Sequence, residues 1–338
     1  MKKIYLKCLV FVLVFLFSFP VLVKGESDIL TKVKKRGRLV CGVHSGLPGF
    51  SFLKPDGSWN GFDADYCRAV AAAVLGDRKK VEFVPLTAAE RFTALQTGEI
   101  DVLIRNTTWT LTRDTKVGAD FGPTTFYDGQ GFMVRKALGI RSLKDLAGAS
   151  ICVTSGTTTE LNLADTMRNK GVPFKPVVFD ETDTVYKSYE KERCDAVTSD
   201  KSQLAARRSV FKDPDAHVIL DTTISKEPLG PLTVHGDNRW NDVVSWVVYA
   251  TFFAEEHNII SRNVKTFQTE NPEIQRFLGT TGDIGEKLGL SKDWARNVIA
   301  AIGNYGECFE RNLAPIGLPR GMNRLWNEGG LLYPMPFR

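Results

Sequence analysis

The amino-acid sequence predicts an α/β protein built as two similar lobes, and three observations carry the prediction. Short apolar runs alternate with helix-like stretches from residue 38 to residue 198, an alternation that gives parallel strand pairing with right-handed crossovers. The plan occurs twice. GEIDVLIRNTT (98–108) and ERCDAVTSDKS (192–202) share a helix end, an Asp, an apolar strand and a polar tip, while RLVCGVHSG (38–46) and ASICVTSGT (149–157) share a strand running into Ser-Gly. Finally, about 313 residues remain once an N-terminal export segment is set aside, more than a single core usually supports.

The export segment opens the chain. Lys2, Lys3 and Lys7 precede sixteen residues, 8–23, that carry no charge, and Lys24-Gly25-Glu26 follows. This is the layout of a cleaved export signal. The run contains Pro20 and is shorter than the roughly twenty residues of a spanning helix, so residues 1–25 are assigned to a signal cut near Gly25. Removing Lys2, Lys3, Lys7 and Lys24 takes the formal charge from +5 to +1. A near-neutral mature chain has no electrostatic footprint for nucleic acid.

In the first series, residues 38–43 read as a buried strand opening into the loop 44–49. A helix over 63–75, a strand over 81–84, a helix over 88–97 closed by Gly98 and a strand over 100–104 follow. The second series places strands at 131–134, 150–153, 177–179 and 196–198, with helices at 159–170 and 183–191. Beyond Pro228-Leu229-Gly230-Pro231 comes an amphipathic helix over 241–256, then a helix-rich, Gly-punctuated tail to Arg338. The expected route assigns 26–128 and 230–338 to the first lobe with a helical C-terminal extension, and 129–229 to the second. Crossings near Asp128-Gly129 and Pro228–Gly230 then form a hinge, with Gly129 and Gly230 supplying backbone freedom.

Cys8 leaves with the signal, and Cys41, Cys67, Cys152, Cys194 and Cys308 remain. In an exported chain the sequential pairs Cys41–Cys67 and Cys152–Cys194, each within one lobe, are disulfide candidates. Buried free thiols are the alternative. The strand at 150–153 and the turn before 196–198 are neighbours in the second lobe's plan, so Cys152 and Cys194 are expected to pair and Cys308 to stay free.

A ligand of an open parallel sheet lies beyond the carboxyl ends of the strands, which directs attention to 44–52, 106–113, 155–159 and 198–200. These segments offer hydroxyls, backbone N–H groups, Arg113 and Asp200, with Phe50 and Phe52 nearby. A zwitterion needs that set: a guanidinium fork for the α-carboxylate, an acid for the α-ammonium, and helix N-terminal amides to share the anion.

Several motifs in fixed order then carry a resemblance over nearly the whole mature chain. PGFSF (48–52), GFDADYCRAVAAAV (61–74), RFTALQTGEIDVLIRNTTWTLTRDT (91–115), SGTTTELNLAD (155–165) and CDAVTSD (194–200) look like the periplasmic binding proteins of polar amino-acid ABC importers. With YDGQGFMVRK (127–136), ISKEPLGP (224–231) and GNYGECFERN (303–312), the chain resembles their general L-amino-acid-binding subgroup. The resemblance implies a bilobal type II periplasmic-binding-protein fold with two mixed or parallel sheets flanked by helices. It also implies broad binding of free L-amino acids, including glutamate, glutamine and aspartate, and delivery to the membrane permease of an ABC importer by lobe closure. The protein is then a periplasmic monomer without cofactor, metal or nucleic-acid partner.

Residue by residue, Arg113 falls at the family's carboxylate-binding Arg, and Asn106 and Thr108 at strand-end groups that contact the α-ammonium and α-carboxylate. Thr157 and Thr158 match the second lobe's Gly-Thr loop, with its amide and hydroxyl donors, and Asp200 matches the acid that pairs with the ammonium. Taken by themselves, Arg113 also suits a surface ion pair and Asp200 a helix N-cap. Arg91 resembles an Arg that members binding acidic amino acids use on the distal carboxylate. His44 is a candidate for the same pocket wall, with a hydrogen-bonded loop His as the alternative. Gly46-Leu47 stands where many members place an aromatic, which removes a stacking wall for cationic or large aromatic ligands.

An enzyme is the rival, because the same bilobal fold hosts dehydratase-like and transglycosylase-like activities. The chain contains no Gly-x-Ser-x-Gly elbow and no Walker loop, and its four His residues are isolated. Only Asp200 stands in the strand-end loops as an acid for proton transfer. The expectation is a binding protein, not an enzyme.

Overall fold

A computed structural model of the chain describes residues 28–338; the expected signal at 1–25 lies outside them. The first part runs α1 (Ile29–Arg36), β1 (Leu39–His44), β2 (Phe52–Leu53), β3 (Trp59–Asn60), α2 (Phe62–Leu75), β4 (Val81–Leu86), α3 (Arg91–Gln96), β5 (Val102–Leu103), α4 (Leu111–Lys116) and β6 (Ala119–Phe121). Then come β7 (Phe126–Asp128), β8 (Gln130–Arg135), β9 (Ser150–Thr154), α5 (Thr158–Asn169), β10 (Lys175–Phe179), α6 (Thr182–Glu190), β11 (Ala196–Asp200), α7 (Lys201–Arg208) and β12 (His217–Ile219). Strands β13 (Glu227–Leu229) and β14 (Leu232–Val234) lead into α8 (Asn238–Glu256), α9 (Pro272–Phe277), α10 (Ile284–Lys287), α11 (Trp294–Ile302) and α12 (Tyr305–Asn312).

Two five-stranded sheets result, ordered β4-β1-β5-β14-β6 and β10-β9-β11-β8-β12. Within each, three strands are parallel, as the alternation predicts. The fourth position departs from that expectation, because β14 runs antiparallel to β5 and β8 antiparallel to β11. Each antiparallel strand is the segment that follows a crossing between the sheets, so it enters its sheet directly from the crossing without a crossover helix. Strand 131–134, which opens the second series in the sequence, is therefore the antiparallel member and not the first of the parallel set.

The sequence repeat has a physical basis in its shared Asp. Asp101 Oδ2 accepts the N–H of Val40 at 2.7 Å, and Asp195 Oδ2 accepts that of Ser150 at 2.8 Å. In both copies the carboxylate before the third parallel strand ties down the start of the first.

Apolar side chains fill both faces of each sheet. In the first lobe α2, α8 and α11 pack together, burying Phe62, Val70, Trp240, Val244, Val247, Trp294 and Val298, while Leu86, Leu95, Leu103 and Phe121 form a core on the other face. In the second lobe Ile151 and Val153 face Leu163 and Met167, and Cys152 faces Tyr186, Tyr189 and Leu204. Helix α8 begins earlier than its apolar pattern suggests because Asp237 caps it, accepting from Trp240 N at 3.0 Å. The tail folds onto the first core, where Phe337 packs against Phe253, Phe277 and Trp294.

Both sequential cysteine pairs are bridged, Cys41–Cys67 and Cys152–Cys194, while among the described residues Cys308 is free and buried. Beside the sheets, β7 and β13 pair antiparallel, Glu227 opposite Asp128 and Leu229 opposite Phe126. Gly129 and Gly230 lie next to this pair and neither has a positive φ. At Gly129 a Cβ would lie 2.4 Å from Thr223 Cγ2 and 2.9 Å from the Ser225 carbonyl oxygen. Close approach, not backbone freedom, requires glycine there.

Candidate functional site

A cleft lies where the carboxyl ends of both sheets meet. The first lobe supplies Arg91 from the start of α3, Arg105, Asn106 and Thr108 after β5, and Arg113 on α4. The second supplies Thr157, Thr158 and Thr159 at the N-terminus of α5, Thr182 at the start of α6, and Ser199, Asp200 and Gln203 at the end of β11 and on α7. The lobes touch directly here: Asn106 Nδ2 donates to Gln203 Oε1 at 3.1 Å.

Local structure aims each group. Thr110 caps α4, accepting the Arg113 N–H at 3.2 Å, and Arg113 Nη1 donates to the Thr108 carbonyl at 2.9 Å. Asn106 has φ +28°, a turn that Asn tolerates, and its N–H points to Asp63 Oδ2 at 3.0 Å. Thr157 caps α5, accepting from Glu160 N, so the start of that helix faces the cleft. Asp200 occupies the N-cap position of α7 but its side chain caps nothing. Among the described residues its buried Oδ1 has no hydrogen-bond partner, and the same holds for Arg91 Nε and Asn106 Oδ1. Buried polar atoms are almost always paired, so orphans of both charge signs facing one cleft mark where a polar ligand would complete the network.

The electrostatics agree. Burial, then Arg105 and Arg113, depresses Arg91 well below the usual arginine range, while Asp200 opposes the shift. Burial also draws Arg105 down to about 10 and lowers Arg113, with Glu227 and Asp200 working in the other direction. Arginine stays charged at any physiological pH. The depression therefore expresses first the cost of burying these three guanidinium groups and then, for Arg91 and Arg105, of crowding them together, a cost that an anionic ligand relieves. Burial, then Asp128 and Glu227, raises Asp200 well above the carboxylate range, against the pull of Arg113 and Arg91. A cation placed beside Asp200 relieves that cost.

Seven sequence candidates line the cleft together: Arg91, Asn106, Thr108, Arg113, Thr157, Thr158 and Asp200. His44 does not. It is the buried last residue of strand β1, its Nδ1 accepts from Gly46 N at 3.0 Å, and burial, then Arg105, Arg207 and Arg91, holds it well below the usual imidazole value. The following loop folds back, Leu47 N donating to the Ser51 carbonyl at 2.7 Å. That turn sends Phe50 into the core against Phe62 and Phe126, away from the cleft expected for it. Sequence reasoning missed Arg105, which lies one residue past the expected strand end at Ile104, and Glu227, which lies on a crossing strand and not in a strand-end loop. Among the described residues no cluster of His, Cys, Asp or Glu is arranged to hold a metal, and no helix is long and apolar enough to cross a membrane.

Two sheet-bearing lobes closing a polar, doubly charged cleft define a type II periplasmic-binding-protein architecture, the class of a solute-binding protein. Residues 39–278 match the family model of bacterial extracellular solute-binding proteins, family 3, and the chain belongs to that family. It is 53% identical to the general L-amino acid-binding periplasmic protein AapJ of Rhizobium johnstonii, over 93% of this chain and 94% of that one. It is 50% identical to the glutamate/glutamine/aspartate/asparagine-binding protein BztA of Rhodobacter capsulatus, again over 93% and 94%. A solved ABC-transporter periplasmic binding protein from Brucella ovis with glutathione bound superposes with a TM-score of 0.91 at 51% identity, covering 93% of this chain and all of that one.

Proposed function

We propose that the protein binds free L-amino acids in this cleft, in the periplasm, and delivers them to the membrane permease of an ABC importer. One observation carries the reading. Arg113 and Asp200 enter the same cleft from different lobes, both buried, and among the described residues neither makes an ion pair with a protein side chain. A zwitterion answers both: Arg113 and the α5 amides take the α-carboxylate, and Asp200 takes the α-ammonium. Neither lobe alone satisfies the ligand. Binding starts on the first lobe, and contacts from Thr157, Thr158 and Asp200 favour the closed form, with β7 and β13 as the hinge between lobes 26–128 plus 230–338 and 129–229.

The names of the relatives point to a range that includes glutamate, glutamine, aspartate and asparagine. Three guanidinium groups exceed what one α-carboxylate engages, which favours ligands with a second carboxylate and assigns Arg91 to it. Glutathione carries an α-amino-acid head and a second carboxylate, so it joins the panel. A thermal-shift screen of the twenty amino acids and glutathione, followed by calorimetry and small-angle scattering, tests the proposal. Stabilisation by acidic and amide amino acids with a smaller radius of gyration is expected. No stabilisation by any amino acid, or binding without compaction, would sink the clamp.

A further inference from the structure

Glu227 is 1% exposed on the second crossing strand, yet its carboxylate reaches both lobes. Its Oε2 accepts from Thr108 Oγ1 of the first lobe at 2.5 Å and from Thr158 Oγ1 of the second at 3.0 Å. Its Oε1 accepts from Asn162 Nδ2 at 2.8 Å and from the Ser225 hydroxyl. The two threonine oxygens stand 3.4 Å apart at the wall of the cleft. Each hydroxyl has one proton, and a carboxylate oxygen in contact with it accepts that proton. What each threonine then presents to the cleft is lone pairs only.

We infer that Glu227 is a positioning residue that makes the hydroxyls of Thr108 and Thr158 obligate acceptors, so that together with Asp200 they form a cage selective for a ligand ammonium over a ligand hydroxyl. The inference rests on the amino-acid reading above and refines it: the sequence resemblance treats the Thr158 hydroxyl as a donor, whereas the geometry gives its proton to Glu227. An ammonium has three protons to place on two threonine oxygens and the Asp200 carboxylate. An α-hydroxyl has one, and its own lone pairs would face those of the threonines. Because the two threonines come from different lobes, the cage is complete only when the cleft is closed.

The test compares affinities for L-glutamate and (S)-2-hydroxyglutarate by calorimetry in the mature protein, Glu227→Leu and Thr158→Val, with circular dichroism reporting the fold. Glu227→Leu leaves the hydroxyl protons free to turn toward the ligand. Thr158→Val removes one acceptor without changing charge or shape, so its readout stands even where Glu227→Leu does not fold. The expected result is that each variant lowers the preference for glutamate over the hydroxy acid by about tenfold or more. A Thr158→Val protein that loses affinity for both ligands equally would show a donating hydroxyl and overturn the inference, as would an unchanged preference in folded Glu227→Leu. Wild-type protein that binds no amino acid would instead refute the functional reading, a distinct outcome.

Discussion

The Arg113 guanidinium is tethered to the backbone five residues earlier, Nη1 donating to the Thr108 carbonyl at 2.9 Å. The bond fixes the plane of the fork on a strand-end turn that also carries Thr108, so the proposed carboxylate donor and one wall of the proposed ammonium cage share a rigid support. Arg113→Ala is expected to weaken amino-acid binding by roughly 2–5 kcal/mol, since it leaves the ligand's charge buried and unpaired. Arg113→Lys should recover little, because a point charge replaces a planar fork. Unchanged affinity by calorimetry in a folded Arg113→Ala protein removes the assignment.

The disulfides lie in different lobes and close sequence separations of 26 and 42 residues. On the chain-entropy model each contributes about 3–4 kcal/mol. Mass spectrometry of an alkylated, non-reduced digest should find Cys41 linked to Cys67, Cys152 linked to Cys194, and only Cys308 alkylated after unfolding. Reductant should lower the melting temperature. Alkylation of Cys152 and Cys194 without reduction contradicts the pairing.

Asp63 makes stability depend on pH in a direction unlike that of most carboxylates. Burial pushes it up to about 6, although the Asn106 N–H and Arg105 pull it down. A raised folded value means that the native chain holds a proton the unfolded chain has already released. The group's contribution therefore falls as pH rises from about 4, the ordinary Asp value, to about 6. Asn at this position still accepts the Asn106 N–H and does not titrate. Relative to wild type, Asp63→Asn should gain up to about 2–3 kcal/mol between pH 4 and pH 7. Urea unfolding at both pH values measures it, and a constant difference between the two proteins refutes it.

Much of the cleft was legible in the sequence because ligands of parallel α/β sheets meet strand ends, and strand ends can be read from apolar runs. Arg113, Asp200 and Thr157 were found by that route together with the family resemblance. What stayed hidden depends on contacts distant in sequence. Glu227 meets Thr108 across 119 positions, and no local pattern announces such a pairing. The antiparallel strand β14, three residues between Pro231 and a polar turn, is too short to show a period. His44 followed the strand-end rule but stays out of the cleft lining, because the turn from Leu47 to Ser51 folds back and the Ser51 hydroxyl binds the His44 N–H at 3.0 Å.

On the proposed reading, Asp200 couples binding to protons. In the closed cleft, burial and then Asp128 and Glu227 hold its carboxyl well above the usual range. Asp128 is pushed up to about 6, chiefly by burial. A ligand ammonium beside Asp200 stabilises the carboxylate and brings its pKa down. Where the unliganded cleft is closed and holds a proton, binding expels it, and affinity rises with pH across that window before levelling once that cleft is ionised. The effect is read by calorimetry in buffers of different ionisation enthalpy, at a series of pH values above the ordinary Asp value. Observed binding enthalpy should vary linearly with the buffer's ionisation enthalpy, with the sign of proton release. Asp200→Asn should bind more weakly, because a neutral amide replaces the ion partner, and should release fewer protons. Equal affinity and equal proton release in wild type and Asp200→Asn would show that the ammonium is held elsewhere and that Asp200 is not its partner.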